Sequence, residues 1–311
     1  MNILVVRLGA MGDILHTLPA VTGLHWKHPE ARIHWVVEPR WRVLLEGNPA
    51  IASIIPLDRH SWASIRQVRR QLRLLACDVA YDFQGLIKSA LVAWQSGARH
   101  TVGYAAQHLR EPGARFFYGE RRAVSARHVV EQHLELAQVA APSVVAMPAG
   151  RVEGEWQDGR SPEGGFVLTS PFAGWRSKQW PLEYFAHLAQ RLPVPLVLNA
   201  SPKDVIHLPA MPNTLRHVSG LEGLIWATRQ ATAVVGVDSG PLHLAAALGK
   251  RGVAIFGGTD PARNGPYGDT MRVLRSERAV TSYQRGAEID PAMRDVTVDQ
   301  VYAELAPLLV S

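Results

Sequence analysis

Five short stretches carry residues whose types and spacing suit acid–base chemistry and the binding of an anion. RLGAMGD (7–13) ends a β-branched run and sets a lone carboxylate, Asp13, behind two glycines. Gly9 and Gly12 permit a tight turn and close approach of a ligand to the backbone. Asp13 falls at the first turn of the following helix, where it suits either a helix cap or a general base. SPFAGWRSKQWP (170–181) places Ala173, Arg176 and Lys178 on a loop ahead of a helix begun by Pro181. An anion is favoured there by the helix dipole, although two solvated surface cations fit equally well. In VVGVDSGPLHLAAALGK (234–250) a buried strand ends at Asp238, and Ser239-Gly240-Pro241 lead into an apolar helix. Its free N–H groups and the Ser239 hydroxyl form a nest for phosphate. Asp238 would repel a diphosphate unless its oxygens accept hydrogen bonds from sugar hydroxyls, which points to a sugar attached to a diphosphate. The plainer alternative is a helix cap, with His243 packed on the helix. FGGTDPARNGPYG (256–268) offers Gly257, Gly258 and Thr259 to the same phosphates.

The fifth stretch is SWASIRQVRRQLRLL (61–75). Arg66, Arg69, Arg70 and Arg73 fall at i, i+3, i+4 and i+7, so they share one helix face. Trp62, Ile65, Val68, Leu72 and Leu75 are expected to form the opposite, buried stripe. Such a run is usually a solvated face, but four arginines without an acid among them are costly to keep unless an anion answers them, and Lys88 and Arg110, on other loops of the same half, could join them.

The elements that must position these residues follow from the rest of the chain. Its 311 residues exceed what one core usually serves, so two domains are expected. The boundary falls at the Pro-, Gly- and Ala-rich stretch 141–165, giving domains 1–150 and 151–311, with a short strand expected around Arg151–Val152. Strand-like runs alternate with helical patterns in both halves, the mark of α/β units with parallel sheets. ILVVR, RIHWVV, SIIPL, DVAYDF and HTVGY are strands of the first; FVLTS, PLVLNA, LRHV, ATAVVGVD and GVAIFG are strands of the second. Helices are expected near 14–26, 39–46, 61–76, 84–96 and 127–140, then 181–192, 221–230 and 241–249. The closing segment VTVDQVYAELAPLLV reads as a helix interrupted by Pro307, free to pack back on the first domain. Ligands of such sheets sit beyond the carboxyl ends of the strands, where the loops above lie.

Charge and composition narrow the partners. The net charge is +6, carried mostly by arginine, whose planar fork pairs well with phosphate. The single Cys77 excludes a disulfide framework and a Cys-based zinc site. Arg7 and Asp13 break the first apolar run before a secretory signal could form, and no stretch approaches the ~18 apolar residues of a membrane span. A cytoplasmic protein is expected. RLGAMGD lacks the G-x-G-x-x-G spacing of dinucleotide enzymes, which counts against an oxidoreductase. A nucleic-acid partner would want aromatics among the basic residues; with Trp62 assigned to the apolar side, that class is disfavoured.

Taken together, RLGAMGDILHTLPA, DFQGLIKSA, LREPGARFFY, SKQWP, VDSGPLHLAAALG and FGGTDP resemble the bacterial heptosyltransferases of lipopolysaccharide core synthesis, glycosyltransferase family 9, in their heptosyltransferase I form. The resemblance implies a GT-B fold, two Rossmann-like domains with parallel sheets facing a central cleft. It implies metal-independent, inverting transfer of heptose from ADP-heptose, a substrate and not a cofactor, to a Kdo residue on lipid A. Asp13 would be the base and Lys178 the partner of the departing diphosphate. The donor would be held by Gly12, Ala173, Arg176, Asp204, Asp238, Ser239, Gly240, Pro241 and His243, with Asp238 on the heptose hydroxyls. Arg66, Arg69, Arg70, Lys88 and Arg110 would hold the acceptor's phosphates and carboxylates. A monomer in peripheral contact with the inner membrane is implied, with no nucleic acid. Two departures stand out: Asp204 replaces a glutamate usual toward the ribose, and Ser239-Gly240-Pro241 replaces Thr-Gly-Leu while keeping the hydroxyl. A GT-B transferase with another nucleotide sugar or acceptor is the alternative.

Overall fold

The runs of Ile, Leu and Val that open each half form the central strands of two parallel sheets. In the computed structural model, which describes residues 1–282 and 285–309 (the Asp158 side chain excepted), the chain divides into two units, Met1–Pro148 and Ala149–Ser311. The first holds β1 (Asn2–Val6), α1 (Met11–Lys27), β2 (Arg32–Val37), β3 (Ser53–Pro56), α2 (Trp62–Leu75), β4 (Val79–Asp82), α3 (Ile87–Gln95), β5 (His100–Tyr104), β6 (Glu120–Arg122) and α4 (Val129–Ala137). Its strands pair in the order β3-β2-β1-β4-β5-β6, all parallel.

The second holds β7 (Glu155–Trp156), β8 (Val167–Thr169), α5 (Leu182–Arg191), β9 (Leu196–Ala200), β10 (Thr214–Val218), α6 (Leu221–Gln230), β11 (Ala233–Val237), α7 (Gly240–Ala247), β12 (Gly252–Phe256), α8 (Pro261–Asn264), β13 (Met271–Arg275), α9 (Pro291–Asp295) and α10 (Val298–Leu305). The order β13-β12-β11-β8-β9-β10-β7 repeats the first sheet's winding, with β7 added antiparallel at the edge. These are two doubly wound units, the pair that makes up a GT-B protein. The central strands read as unbroken apolar runs because helices cover both faces; β9, β11 and β12 are buried throughout.

In the two sheets the winding reverses between β1 and β4 and between β8 and β11, and there the carboxyl ends leave a crevice for ligands. In the first unit that crevice is anchored by Asp82 at the end of β4. The buried carboxylate accepts from Tyr118 (2.7 Å), Ser89 (2.8 Å) and the N–H groups of Gln84 (2.8 Å) and Gly85 (3.3 Å). These bonds fix the turn at 83–86 that leads into α3, which carries Lys88 in its first turn.

Several expectations are corrected. Trp62 lies 78% exposed, while Val68 and Leu72 are buried. At 3.6 residues per turn, Trp62 falls in line with Arg66, Arg69 and Arg73 at i+4, i+7 and i+11, so the helix's aromatic belongs to its basic face. The strand expected at Arg151–Val152 forms at Glu155–Trp156: Gly154 admits the chain against His217 and the Val218 carbonyl, and Trp156 seats 4.7 Å from the His217 ring. The 39–46 helix is a short 3-10 segment, Pro39–Leu44. The closing helix α10 packs on α5 and against β12 and β13 of its own unit, with Pro307 in the 3-10 turn that follows it. The edge strands β6 and β13 escape pattern reading because edges carry charge and lack the buried alternation of central strands.

Tyr118→Phe should lower unfolding free energy by about 1–2 kcal/mol, since it removes one donor to the buried Asp82 and leaves the other three. Urea denaturation read by circular dichroism checks this; an unchanged midpoint would show the bond to be dispensable.

Candidate active site

Each unit presents a carboxylate and a cation at the point where its sheet winding reverses. In the first, Asp13 is the third residue of α1. Its Oδ2 accepts from the Ala10 N–H at 3.0 Å, covering one of the free donors at the helix start, so the cap role is met from within the helix's first turn. Its Oδ1 lies 2.8 Å from Arg7 Nη2. Arg7 is itself buried; its other terminal nitrogen donates to the Phe83 carbonyl beyond β4, which ties the pair across the crevice. Burial works to raise the Asp13 pKa, but the Arg7 guanidinium and the Ala10 N–H outweigh it and hold the carboxyl below its ordinary value. Below it sits His133, buried and pushed down to about 3 by desolvation and by Arg7, hence neutral, with Nδ1 bonded to the His16 carbonyl. Asp13 keeps 43% of its side chain exposed, so the anion is both fixed and reachable. Gly9 has a different use from the one its sequence suggests: a Cβ there would meet the Trp41 indole at 2.8 Å, so protein and not ligand fills the space.

In the second unit, Asp238 follows β11 and is buried. Lys178, on a 3-10 turn (Arg176–Lys178), donates to its Oδ2 at 2.6 Å, and His243 Nε2 lies 3.4 Å from its Oδ1. Burial would raise the Asp238 pKa; the hydrogen bond from His243 and the charge of Lys178 hold it far below the usual range. The Asp238 oxygens thus face a lysine and a histidine, where the sequence suggested sugar hydroxyls. Lys178 also stands 4.5 Å over the Trp175 ring, which Arg285 approaches at 5.4 Å. An ammonium has three donors, so Lys178 can hold Asp238 and still meet an incoming anion. Ser239 precedes α7 without spending its side chain on a cap, and Gly240 and Pro241 begin the helix.

A cavity of about 260 Å³ opens at the ends of β9 and β10, lined among others by Phe172, Asn199, Asp204, Ser219 and Pro241. Asp204 accepts from Ser201 on its rim. Because the cavity reaches Pro241, a nucleoside lying in it would deliver its phosphates to the helix start at 239–241. Ala173 lies on the Lys178 loop, its carbonyl accepting from Gln179; Arg176 is exposed on the same loop. Gly12, exposed only in part, is the residue before Asp13 in α1.

The cations assigned to the acceptor are all exposed on the first unit. Arg66, Arg69 and Arg70 lie along α2, and none makes an ion pair among the described residues. Lys88 is the second residue of α3 and not on a loop as expected, whereas Arg110 lies on a loop; one bond, Ile87 N–H to Glu111 at 2.8 Å, joins the two segments. A Cβ at Gly257 would meet the Met293 side chain at 2.8 Å and one at Gly258 the Asp290 carboxylate at 3.1 Å, so protein atoms lie beside both glycines. Arg7, Asn199, Ser219 and Trp175 were not singled out from sequence. A cation directly after an apolar strand (Arg7) and an amide next to the end of another (Asn199) were the available signals.

The sequence profile of glycosyltransferase family 9 (heptosyltransferase) matches residues 65–290. Lipopolysaccharide heptosyltransferase 1 of Pseudomonas aeruginosa is 29% identical, the alignment covering 89% of this chain and 84% of that protein. Among solved structures, E. coli heptosyltransferase WaaC with ADP-2-deoxy-2-fluoro heptose is 26% identical with a TM-score of 0.75, covering 99% of each chain. E. coli ADP-heptose lps heptosyltransferase II is 24% identical with a TM-score of 0.78, covering 100% of this chain and 99% of that one, and shares the fold.

Two outcomes follow from the paired charges. Lys178→Met should cost about 1–3 kcal/mol of stability, because it strips a donor from a buried carboxylate; a chemical denaturation curve that overlays wild type would show the pair to be idle. Asp13 is depressed in the fold, so its stabilising contribution is full above its unfolded value near ~4 and is lost as pH falls through the folded value. The stability gap between wild type and Asp13→Asn should therefore stay constant from pH 7 to about pH 5 and close only under strong acid. A gap that closed near pH 6 would contradict the depressed value.

Proposed function

The chain belongs to glycosyltransferase family 9, the heptosyltransferases, and we propose that it transfers L-glycero-D-manno-heptose from ADP-heptose to a Kdo residue of Kdo-lipid A. The observation that carries this reading is the Lys178–Asp238 pair beside a helix start and a nucleoside-sized cavity. The bound donor analogue of the E. coli relative supports the choice of nucleotide sugar.

Displacement at an anomeric carbon develops positive charge on the sugar and negative charge on the departing diphosphate. Lys178, with Arg176 and the N–H groups at 239–241, would take up that negative charge; one such preorganised contact is worth ~3 kcal/mol, on the order of a hundredfold or more in rate. Asp238 holds the Lys178 ammonium in place, and His243 holds Asp238. No D-x-D motif occurs in the sequence, so no metal is assigned to the diphosphate. Asp13, already ionised, would receive the acceptor hydroxyl's proton on the face opposite the leaving group, which inverts the anomeric centre; general-base help commonly contributes ~10²–10⁴-fold. Arg66, Arg69, Arg70, Lys88 and Arg110 would bind the acceptor's phosphates and carboxylates. Gly12, Ala173, Asp204, Ser239, Gly240 and Pro241 would line the donor, Asp204 meeting the ribose.

No helix among the described residues is long and apolar enough to cross a membrane. We assign the enzyme to the cytoplasmic face of the inner membrane, where exposed arginines would steer it to an anionic leaflet, acting as a monomer without nucleic acid.

Purified enzyme should release ADP only when ADP-heptose and Kdo-lipid A are both present. Asp13→Asn should lower kcat by roughly 10²–10⁴-fold with ADP binding intact, and Lys178→Ala by roughly 10²–10³-fold. Near-normal turnover by Asp13→Asn would refute the assigned base. Turnover with a different sugar nucleotide and none with ADP-heptose would leave a glycosyltransferase of another donor.

A further inference from the structure

Asn199 is the penultimate residue of β9 and is 94% buried, being 6% exposed, yet it lines the cavity at the ends of β9 and β10. Its Oδ1 accepts from the Ser219 hydroxyl at 2.7 Å and lies 2.8 Å from His217 Nδ1, the residue opposite it on β10. Which way the amide faces is settled by the histidine. His217 is fully buried, held between Trp156 and Trp226, and its Nε2 has no hydrogen-bond partner among the described residues. Were the amide reversed, Nδ1 would have to accept, and the ring's proton would move to Nε2 as a buried donor without an acceptor. Orphaned buried donors are rarer and costlier than orphaned acceptors. The proton therefore sits on Nδ1, both lone-pair directions of Oδ1 are taken, and the Nδ2 amine is left over. No partner for Nδ2 occurs among the described residues.

An amide that can offer only donors to a nucleotide cavity selects a lone pair. The hydroxyls of a ribose already have an acceptor of their own in Asp204 on the rim, whereas a purine base offers ring nitrogens. From this geometry we infer that Asn199 is a specificity-determining residue, its Nδ2 donating to a ring nitrogen of the donor's adenine. The Ser219–His217 pair acts as a positioning device that fixes the amide's orientation. This rests on the proposed nucleotide site.

Calorimetric titration of wild type, Asn199→Ala and Asn199→Asp with ADP, ribose 5-diphosphate and inorganic diphosphate tests it. Asn199→Asp keeps an oxygen for Ser219 and His217 but offers no donor, so it remains informative if the alanine variant folds poorly. Both variants should lose about tenfold or more in affinity for ADP, while ribose 5-diphosphate and inorganic diphosphate stay within about twofold of wild type. Unchanged ADP affinity in Asn199→Ala, or an equal loss for all three ligands, overturns the role of the amide. A wild-type protein that binds no ADP overturns the nucleotide site itself, and the inference with it.

Discussion

A carboxylate at the carboxyl end of a parallel sheet is being taken out of water, and burial alone would protonate it. The structure answers this twice with a cation: Arg7 at Asp13 and Lys178 at Asp238. In each case burial pushes the acid up and the neighbouring donors more than reverse it. The placement is topological. In each unit the cation follows one strand and reaches across to the segment after its neighbour: Arg7, after β1, to the Phe83 carbonyl beyond β4, and Lys178, after β8, to Asp238 beyond β11. The two halves thus solve one electrostatic problem with the same strand order, but they leave different groups available. In the first, the acid stays reachable and the cation is buried. In the second, the acid is buried and the cation keeps donors to spare.

Most of the fold was legible because central parallel strands are buried on both faces and read as apolar runs. Ten strands and the principal helices follow from that pattern. What escaped was edge structure, where charge replaces the pattern: Glu120–Arg122, Met271–Arg275 and the displaced Glu155–Trp156. The site was legible in its loops and less so in its pairings. Asp13, Lys178 and Asp238 stand out by type and position. That Asp238 would face Lys178 and His243 rather than sugar hydroxyls depends on two loops sixty residues apart, which no local spacing encodes.

Trp62 shows where pattern reading goes wrong. Grouping it with the apolar residues of its helix by type alone placed it inside; the 3.6-residue period sets it beside Arg66 and Arg69, on the exposed side. The argument from a buried aromatic against nucleic acid accordingly falls away.

The two bonds that hold Asp13, from Arg7 and from the Ala10 N–H, have a kinetic consequence. A carboxylate so well satisfied is a feeble Brønsted base, far too weak to strip a sugar hydroxyl in advance and leave a free alkoxide waiting. In the proposed reaction the proton would move only once the oxygen has begun to bond to carbon and its acidity has risen. Water, whose hydroxyl is no more acidic, gains nothing from such a base until a sugar cation is already forming. In the proposed role of base, the same restraint that keeps Asp13 charged would thus guard an activated donor against idle hydrolysis.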